Sequence, residues 1–300
     1  MQSETLSSRP KAQPERGDAA LQPQDLAVTI LGAHLRRPGQ RVWSGGMVEI
    51  LGEFGFSTEA ARAALSRLVT RGLLERQREG RLVFYTLSSR AHELLSEGDR
   101  RIFTFGRGAP AADAWTVVWH TIPEDRRVER AQLAQRLRFL GFGSVQDATW
   151  IAASDREQEI RALLDALDVE EHASMFLGRI ARGTERALLL SGAWDVDDLE
   201  RRYRGFIDEY GIHLDARTRA ALDPRQAFTV RTRMLHTFRG FPSSDPELPE
   251  SLAPGAAARA EAVVTFDAIY DALAEPAMRH FAEVALGEAS PLEQALPRVS

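Results

Sequence analysis

The chain has 300 residues, of which 44% are hydrophobic and none is cysteine, and its formal net charge is −5. The lack of cysteine excludes disulfides, catalytic thiolates and zinc sites built on cysteine. No run of about 18 apolar residues is free of charges, which argues against a membrane-spanning helix. The first 23 residues are polar and lack the apolar core of a signal peptide, so we expect a disordered tail over 1–23 and a cytoplasmic protein.

Hydrophobic periodicity predicts three helices after this tail, over 24–36, 44–53 and 58–71. Asp25 and Ser57 are the expected N-caps of the first and third helices, and Gly72 is placed to end the third. Two short runs around a polar, glycine-containing turn predict a β-hairpin over 73–87, and a further helix is expected after Ser88. Three helices followed by a hairpin are typical of a winged helix-turn-helix DNA-binding domain, which we assign to 24–107 with its following linker helix.

The third of these helices has two chemically different faces. Ala61, Leu65 and Leu68 form an apolar stripe, and the opposite face is polar and basic. Residues 24–107 contain 13 arginines and 9 acidic residues, in contrast to the acidic charge of the whole chain. A basic helix face of this kind suits contacts with phosphates and bases, although it could also be merely solvated. The predicted DNA-binding residues are Arg62, Ser66, Arg67, Thr70 and Arg71 on the helix, and Arg78 and Arg81 on the hairpin.

A linker over 106–113 separates this region from a second one, which we assign to 112–182. The pattern predicts strands over 114–122, 143–145, 148–152 and 173–181, and helices over 127–141 and 155–167. The order βαββαβ is that of a ferredoxin-like domain. From 183 to 300 the pattern is helical, with long helices predicted over 196–210, 224–238 and 256–284. The predicted fold is therefore an α+β multidomain chain with an all-α C-terminal domain.

Seven segments of the chain match a known family in the same order: 42–74, 80–88, 115–124, 136–154, 203–210, 227–238 and 245–254. They resemble the PaaX family of repressors that control the phenylacetic acid catabolic operon. The resemblance implies a dimeric repressor with a winged N-terminal domain, a ferredoxin-like middle domain and a helical C-terminal domain, released from DNA by phenylacetyl-CoA. Arg62, Leu65, Arg67 and Leu68 fit the R-x-x-L-x-R-L pattern of the family's recognition helix.

An aryl-acyl-CoA effector would need a cationic surface for its phosphates and an aromatic pocket for its acyl group. Arginine side chains suit phosphate groups, and the predicted helix over 224–238 is rich in basic residues. The alternative is that the aromatic residues belong to the core and that the arginines pair with nearby acids. The candidate effector-binding residues are Arg231, Arg233, His236, Arg239, Tyr203 and Phe206.

The chain carries no motif of a known catalytic site. The second domain resembles the small nuclease subunit of CRISPR adaptation complexes, but His120 and Thr121 stand where metal-dependent cleavage would require an acidic residue. We find no phosphate-binding loop, nucleophile elbow or clustered metal ligands. We therefore predict that the chain is not an enzyme and has no catalytic residues, metal or cofactor. The expected partners are operator DNA, an acyl-CoA effector and a second copy of the chain, and no association with a membrane is expected. Two alternatives remain open: a thioester hydrolase that uses the acidic C-terminal region, and a protein-interaction module that does not bind DNA.

Overall fold

A computed structural model of the chain describes residues 21–35, 37–107, 114–180, 192–248 and 255–286. The predicted tail over 1–23 and linker over 106–113 fall largely outside these residues. The first structural unit consists of four helices and a three-stranded antiparallel sheet in the order β1-β3-β2. Its elements are α1 (Pro23–His34), β1 (Arg41–Trp43), α2 (Ser44–Glu53), α3 (Thr58–Thr70), β2 (Leu74–Glu79), β3 (Leu82–Leu87) and α4 (Ser89–Thr104).

Two details of this unit differ from the prediction. The N-cap of α1 is Gln22, with Pro23 in the first turn, and Asp25 lies inside the helix rather than at its cap. Proline fits the first helical turn because the backbone N–H that it lacks has no partner there. The strand β1 was not predicted, since three residues are too few for a periodic signal. It exists because Val42 pairs with Tyr85 on β3, far along the chain.

The second unit has the predicted order βαββαβ, with all strand pairs antiparallel and the strand order β5-β6-β4-β7. Its two helices cover one face of the sheet, where Val118, Leu133, Leu137 and Ile160 form a fully buried core. The elements are β4 (Trp115–His120), α5 (Arg127–Phe139), β5 (Gly143–Gln146), β6 (Thr149–Ala152), α6 (Glu157–Ala166) and β7 (Ala173–Gly178).

The C-terminal part is helical, as predicted, but its last helix is divided. We expected one helix over 256–284, whereas the chain breaks at Leu273. Pro276 explains the break, because it cannot donate a hydrogen bond to the carbonyl four residues earlier and its ring would clash with that carbonyl. The elements are α7 (Val196–Tyr210), α8 (Ala216–Ala220), α9 (Pro224–Phe238), α10 (Ala256–Ala272) and α11 (Ala274–Phe281), followed by a π-helical turn over Ala282–Leu286.

The C-terminal helices contribute to the hydrophobic core of the first unit. Phe228 of α9 and Ala277, Phe281 and Ala285 at the end of the chain belong to the same buried cluster as the apolar residues of α1, α2 and α3. A Cβ atom added at Gly46 of α2 would lie only 2.1 Å from a backbone oxygen of this terminal segment. The first unit is thus packed directly on the C-terminal part. In the portion of the chain that the structure describes, no helix is long and apolar enough to cross a membrane.

Candidate nucleic-acid interface

The ends of α3 are fixed by the two residues that the sequence indicated. The Ser57 hydroxyl accepts a hydrogen bond from the backbone N–H of Ala60, at 3.2 Å, and so caps the start of the helix. At the other end Gly72 adopts φ +67°. The N–H groups of Gly72 and Leu73 donate to the carbonyls of Val69 and Leu68, both at 2.9 Å, which forms a Schellman motif. This helix therefore has defined limits, and its side chains have fixed directions.

The two faces of α3 lie as predicted. Ala61, Leu65 and Leu68 are buried against the rest of the first unit. The five residues of the helix that we selected for DNA contact are all exposed: Arg62, Ser66, Arg67, Thr70 and Arg71. Glu59 lies in the first turn of α3. Its carboxylate accepts hydrogen bonds from its own backbone N–H and from Ser57, and these lower its pKa. That carboxylate stabilises the positive end of the helix dipole.

A groove of about 650 Å³ lies between α2, the exposed face of α3 and the β2–β3 hairpin. Arg62 and Ser66 line it from α3, and Arg76 and Tyr85 line it from the hairpin. Glu49 of α2 is also part of its wall, so the groove is not uniformly basic. The exposed arginines are nevertheless brought together from two elements that are separate in the sequence. We call this surface the α3–hairpin groove.

Strand pairing gives the hairpin two different faces. Arg76 lies opposite Tyr85 and Arg78 lies opposite Val83, and both pairs are on the face of the groove. Sequence reasoning selected Arg78 and missed Arg76. The signal was available, since residues two apart on a strand share a face. The Nε–H of Arg78 donates to the carbonyl of Gly80 in the turn, at 3.0 Å.

The opposite face of the hairpin carries an ion pair. Glu79 forms an ion pair with Arg41 of β1. The guanidinium of Arg41 also lies 4.4 Å from the centre of the Phe84 ring. Arg41 is therefore part of a local packing arrangement, whereas Arg76 lines an open groove.

The remaining predicted DNA-binding residues do not line the α3–hairpin groove. The Nε–H of Arg67 donates to Oε1 of Gln24 at the start of α1, at 3.2 Å, so this side chain lies beside α1 rather than in the groove. The hydroxyl of Thr70 donates to the carbonyl of Ser66, at 3.1 Å. Arg71 is the C-cap of α3, and Arg81 is exposed in the hairpin turn.

The sheet of the second unit carries a buried histidine, rather than an acid, at the end of its first strand. His120 is 7% exposed, and burial, followed by the charge of Arg130, lowers its pKa. Glu124, the nearest following carboxylate, is paired with Arg130 at 2.7 Å. Among the described residues no group of three or more histidines or carboxylates is placed to hold a metal ion.

The two aromatic residues that we selected for effector binding lie in the hydrophobic core of the C-terminal part. Tyr203 and Phe206 are 1% and 2% exposed. The Tyr203 hydroxyl donates to Oδ2 of Asp245 at 2.5 Å. Burial and the neighbouring Asp245 carboxylate raise the pKa of Tyr203. Tyr203 and Phe206 are therefore core residues, which is the alternative to effector binding that the sequence analysis left open.

The four basic candidates on α9 do not form one cluster. Arg231 is buried, donates through Nε to the carbonyl of Tyr270 at 2.9 Å, and stacks on the ring of that residue. Arg233 is exposed, with its guanidinium 5.6 Å from the ring centre of Phe54. Arg231 and Arg233 therefore lie in different environments, one in the core and one at the surface.

His236 and Arg239 face α1 instead. Nδ1 of His236 lies 2.9 Å from Oγ1 of Thr29, and Arg239 donates to the same hydroxyl oxygen and to the carbonyl of Asp25. Burial, followed by the charge of Arg239, lowers the pKa of His236 to about 4. The basic end of α9 is therefore part of the contact between the C-terminal helices and the first unit.

Comparison with known protein families covers most of the chain. Residues 22–91 match the model described as PaaX-like protein, residues 108–190 match the central Cas2-like domain of PaaX protein, and residues 194–283 match the C-terminal domain of PaaX-like protein. The second match agrees with the resemblance of the middle region to the CRISPR adaptation subunit.

Individual proteins agree with the family models. The chain is 26% identical to the transcriptional repressor PaaX of Escherichia coli strain K12, over 76% of this chain and 73% of that protein. The solved structure of the uncharacterized protein Rv0674 from Mycobacterium tuberculosis has a TM-score of 0.53 at 21% identity, covering 84% of this chain and 96% of that one, and shows a shared fold. The similarity to a repressor supports the prediction that the chain is not an enzyme. The chain belongs to the PaaX family of transcriptional repressors.

Proposed function

We propose that the chain represses its target genes by binding operator DNA through the first unit, which we interpret as a winged helix-turn-helix. The observation that carries this proposal is the α3–hairpin groove, where Arg62 and Arg76 come from two elements and face the same open space. In winged helix proteins the recognition helix enters the major groove and the hairpin lies along the neighbouring backbone. The strand order β1-β3-β2, with the hairpin extending beside α3, suits that geometry.

Within this arrangement the predicted residues take different roles. Arg62 and Ser66 are assigned to base or phosphate contacts inside the major groove. Arg76, Arg78 and Arg81 are assigned to contacts with the DNA phosphate backbone beside that groove. The other exposed residues of the basic face, Arg67, Thr70 and Arg71, support phosphate contacts along the edge of α3. Arginine suits both tasks because its planar guanidinium donates bidentately to guanine and to phosphate.

The domain limits 24–107, 112–182 and 183–300 and the dimeric state belong to the same proposal. The middle unit has the strand order of a ferredoxin-like domain, and we assign it to dimerisation or effector binding. A dimer presents two recognition helices to two half-sites of a pseudo-palindromic operator, about one helical turn or a multiple of it apart.

For the regulated genes and the effector, the proposal is supported by the resemblance to the PaaX family. We propose an operon for the breakdown of an aromatic acid of the phenylacetate type, and an aryl-acyl-CoA such as phenylacetyl-CoA as the effector. Release from DNA requires the effector to bind the DNA-incompetent conformation more tightly than the competent one.

The proposal is tested by fluorescence anisotropy with the intergenic DNA upstream of the gene, titrated with phenylacetyl-CoA, free phenylacetate and coenzyme A. We expect tight, salt-sensitive binding that only the thioester reverses. Arg62→Ala should weaken operator binding. Arg201→Ala is the matched control, because Arg201 is an exposed helical arginine far along the chain, paired with Asp198 at 2.9 Å. Binding no tighter than to random DNA would refute the DNA-binding role, and retention of DNA in the presence of all three compounds would refute the effector.

A further inference from the structure

The structure contains a cavity of about 270 Å³ at the junction of the first unit with the rest of the chain. Its walls come from α1, the end of α3, the helix α4 that leads out of the first unit, α5 of the middle unit and α9 of the C-terminal part. Leu31, Leu95, Ile102 and Phe139 are among its apolar lining residues. Elements from all three units therefore meet around one space.

The size and polarity of the cavity define the kind of group that fits. An apolar protein cavity of about 150 Å³ is large enough to bind benzene. The junction cavity is larger than this, so an aromatic ring with a short side chain fits, whereas a nucleotide does not. An apolar site with a few charged groups is the usual composition of a small-molecule site.

Four charged side chains line the cavity, Arg239, Arg136, Glu97 and Asp99, and the two arginines come from different elements. Arg239 of α9 lines the cavity, and its hydrogen bonds go to neutral oxygens, the hydroxyl of Thr29 and the carbonyl of Asp25. Burial lowers the pKa of Arg239 and the carboxylate of Asp25 acts in the opposite direction, so the charge of Arg239 is only partly compensated in this position. Arg136 of α5 is more exposed and lies 4.0 Å from Glu97. A carbonyl or carboxylate oxygen near Arg239 would stabilise its charge.

Gly98 marks the part of α4 where the wall of the cavity carries no side chain. It lies in the interior of α4, where glycine destabilises a helix relative to alanine. Gly32, also on the wall, is explained by packing, since a Cβ there would lie 2.7 Å from a methyl group of Leu95. A Cβ at Gly98 would meet no described atom within 4 Å beyond its own helix. A larger side chain at Gly98 would therefore enter the cavity without displacing any described protein atom.

We propose that the junction cavity binds an aryl or arylacetyl group, with its carbonyl or carboxylate oxygen toward Arg239, and that this is the effector site of the repressor. The regulatory part of this inference rests on the proposed function. Because α1 and α3 pack on each other in one core, a ligand seated between α1, α4 and α9 is placed to alter how α3 is held relative to the remaining chain. If the effector is a thioester, its nucleotide lies outside the cavity.

The test measures ligand binding to the purified full chain by isothermal titration calorimetry without DNA. The probes are phenylacetyl-CoA, phenylacetate and coenzyme A, which separate a thioester from a free acid and from the nucleotide alone. Gly98→Leu fills the cavity from α4. Gly205→Leu is the matched control, because Gly205 is an exposed glycine inside α7 that also has no described atom near its Cβ position and does not line the cavity.

We expect the wild type and Gly205→Leu to bind a phenylacetyl probe equally and Gly98→Leu to lose at least tenfold in affinity while still binding operator DNA. Equal affinity of Gly98→Leu and wild type would overturn the site, as would the absence of binding of both phenylacetyl probes to the wild type. Should Gly98→Leu fail to fold, Gly98→Val and Arg239→Gln give the same comparison. Operator binding is measured separately, so failure of the DNA-binding proposal and failure of the cavity proposal are distinguishable.

Discussion

Nε2 of His280 lies 3.0 Å from both carboxylate oxygens of Glu53, which connects α11 to α2 of the first unit. Glu53 is 7% exposed in its side chain and is also paired with Arg225 of α9, at 3.3 Å. A buried carboxylate requires such partners. The C-terminal helices are thus bound to the first unit by a polar contact as well as by a shared apolar core.

Loss of Phe281 should destabilise the first unit, although this residue is far from that unit in the sequence. Phe281 is 1% exposed and belongs to the core of α1, α2 and α3. Phe281→Ala removes this packing and should lower the free energy of unfolding by about 3–5 kcal/mol. Urea denaturation followed by circular dichroism measures the change, and operator affinity should fall at temperatures where the variant begins to unfold.

The control for this prediction is Met278→Ala on the same helix. Met278 is 42% exposed, so its replacement should change the free energy of unfolding by less than about 0.5 kcal/mol. Equal stability of the Phe281 and Met278 variants would show that the C-terminal segment does not contribute to the first core.

The two faces of the hairpin should respond differently to loss of an arginine. Arg76→Ala removes a cation that faces the α3–hairpin groove, and we expect operator affinity to fall by about five- to tenfold and the slope of log affinity against log salt to decrease by about 1. Arg41→Ala removes a cation already paired with Glu79 on the other face, so its salt slope should equal that of the wild type. If Arg41→Ala changed the slope and Arg76→Ala did not, the hairpin would contact DNA with the opposite face.

The parts of the fold that depend on local signals could be predicted from the sequence. The bounds of α7 and α9 were predicted correctly, because each begins at an aspartate cap and has a regular apolar face. Asp223 forms a capping box with Gln226, and Asp195 caps α7 through the backbone N–H of Asp198. The exposed arginines of α3 were predicted for the same reason, since helical periodicity separates Arg62 from the buried Leu65.

Features that depend on distant contacts could not be predicted in this way. The strand β1 exists only through its pairing with β3, and the contribution of Phe281 to the first core follows from tertiary packing. The basic residues of α9 resembled one cluster in the sequence, but Arg231 faces the core and Arg239 faces α1. The junction cavity combines segments that are widely separated in the chain. The break at Leu273, by contrast, had a local signal in Pro276 that the prediction did not use.

The glycine at the end of α3 should be difficult to replace. Gly72 has φ +67°, a conformation that costs an L-residue about 1–2 kcal/mol. Gly72→Ala should therefore lower the free energy of unfolding by roughly that amount and, if α3 enters the DNA as proposed, weaken operator binding, because it disturbs the Schellman motif that ends α3. Gly205→Ala is the matched comparison, since Gly205 lies in α7, outside the α3–hairpin groove, with no described atom within 4 Å of its Cβ position. Alanine there should stabilise the chain by about 0.4–1 kcal/mol. The same destabilisation in both variants would contradict the conformational explanation.

The contact between α9 and α1 should make the stability of the chain depend on pH through His236. Burial, followed by the charge of Arg239, lowers its pKa in the folded state from the ordinary value of 6.5 to about 4, while the carboxylate of Asp25 acts in the opposite direction. Between these two values the unfolded chain binds more protons than the folded chain, so the free energy of unfolding decreases as the pH falls from about 6.5 to about 4. We expect a loss on the order of 1–2 kcal/mol between pH 7 and pH 5 from this residue, after allowance for solvent screening. His236→Gln, measured by urea denaturation at both pH values, should lose that part of the dependence and keep the part due to His120 and His213, whose pKa values are also lowered by burial. A pH dependence identical to that of the wild type would mean that the imidazole of His236 is solvated in the folded protein and that α9 and α1 are not held together as described.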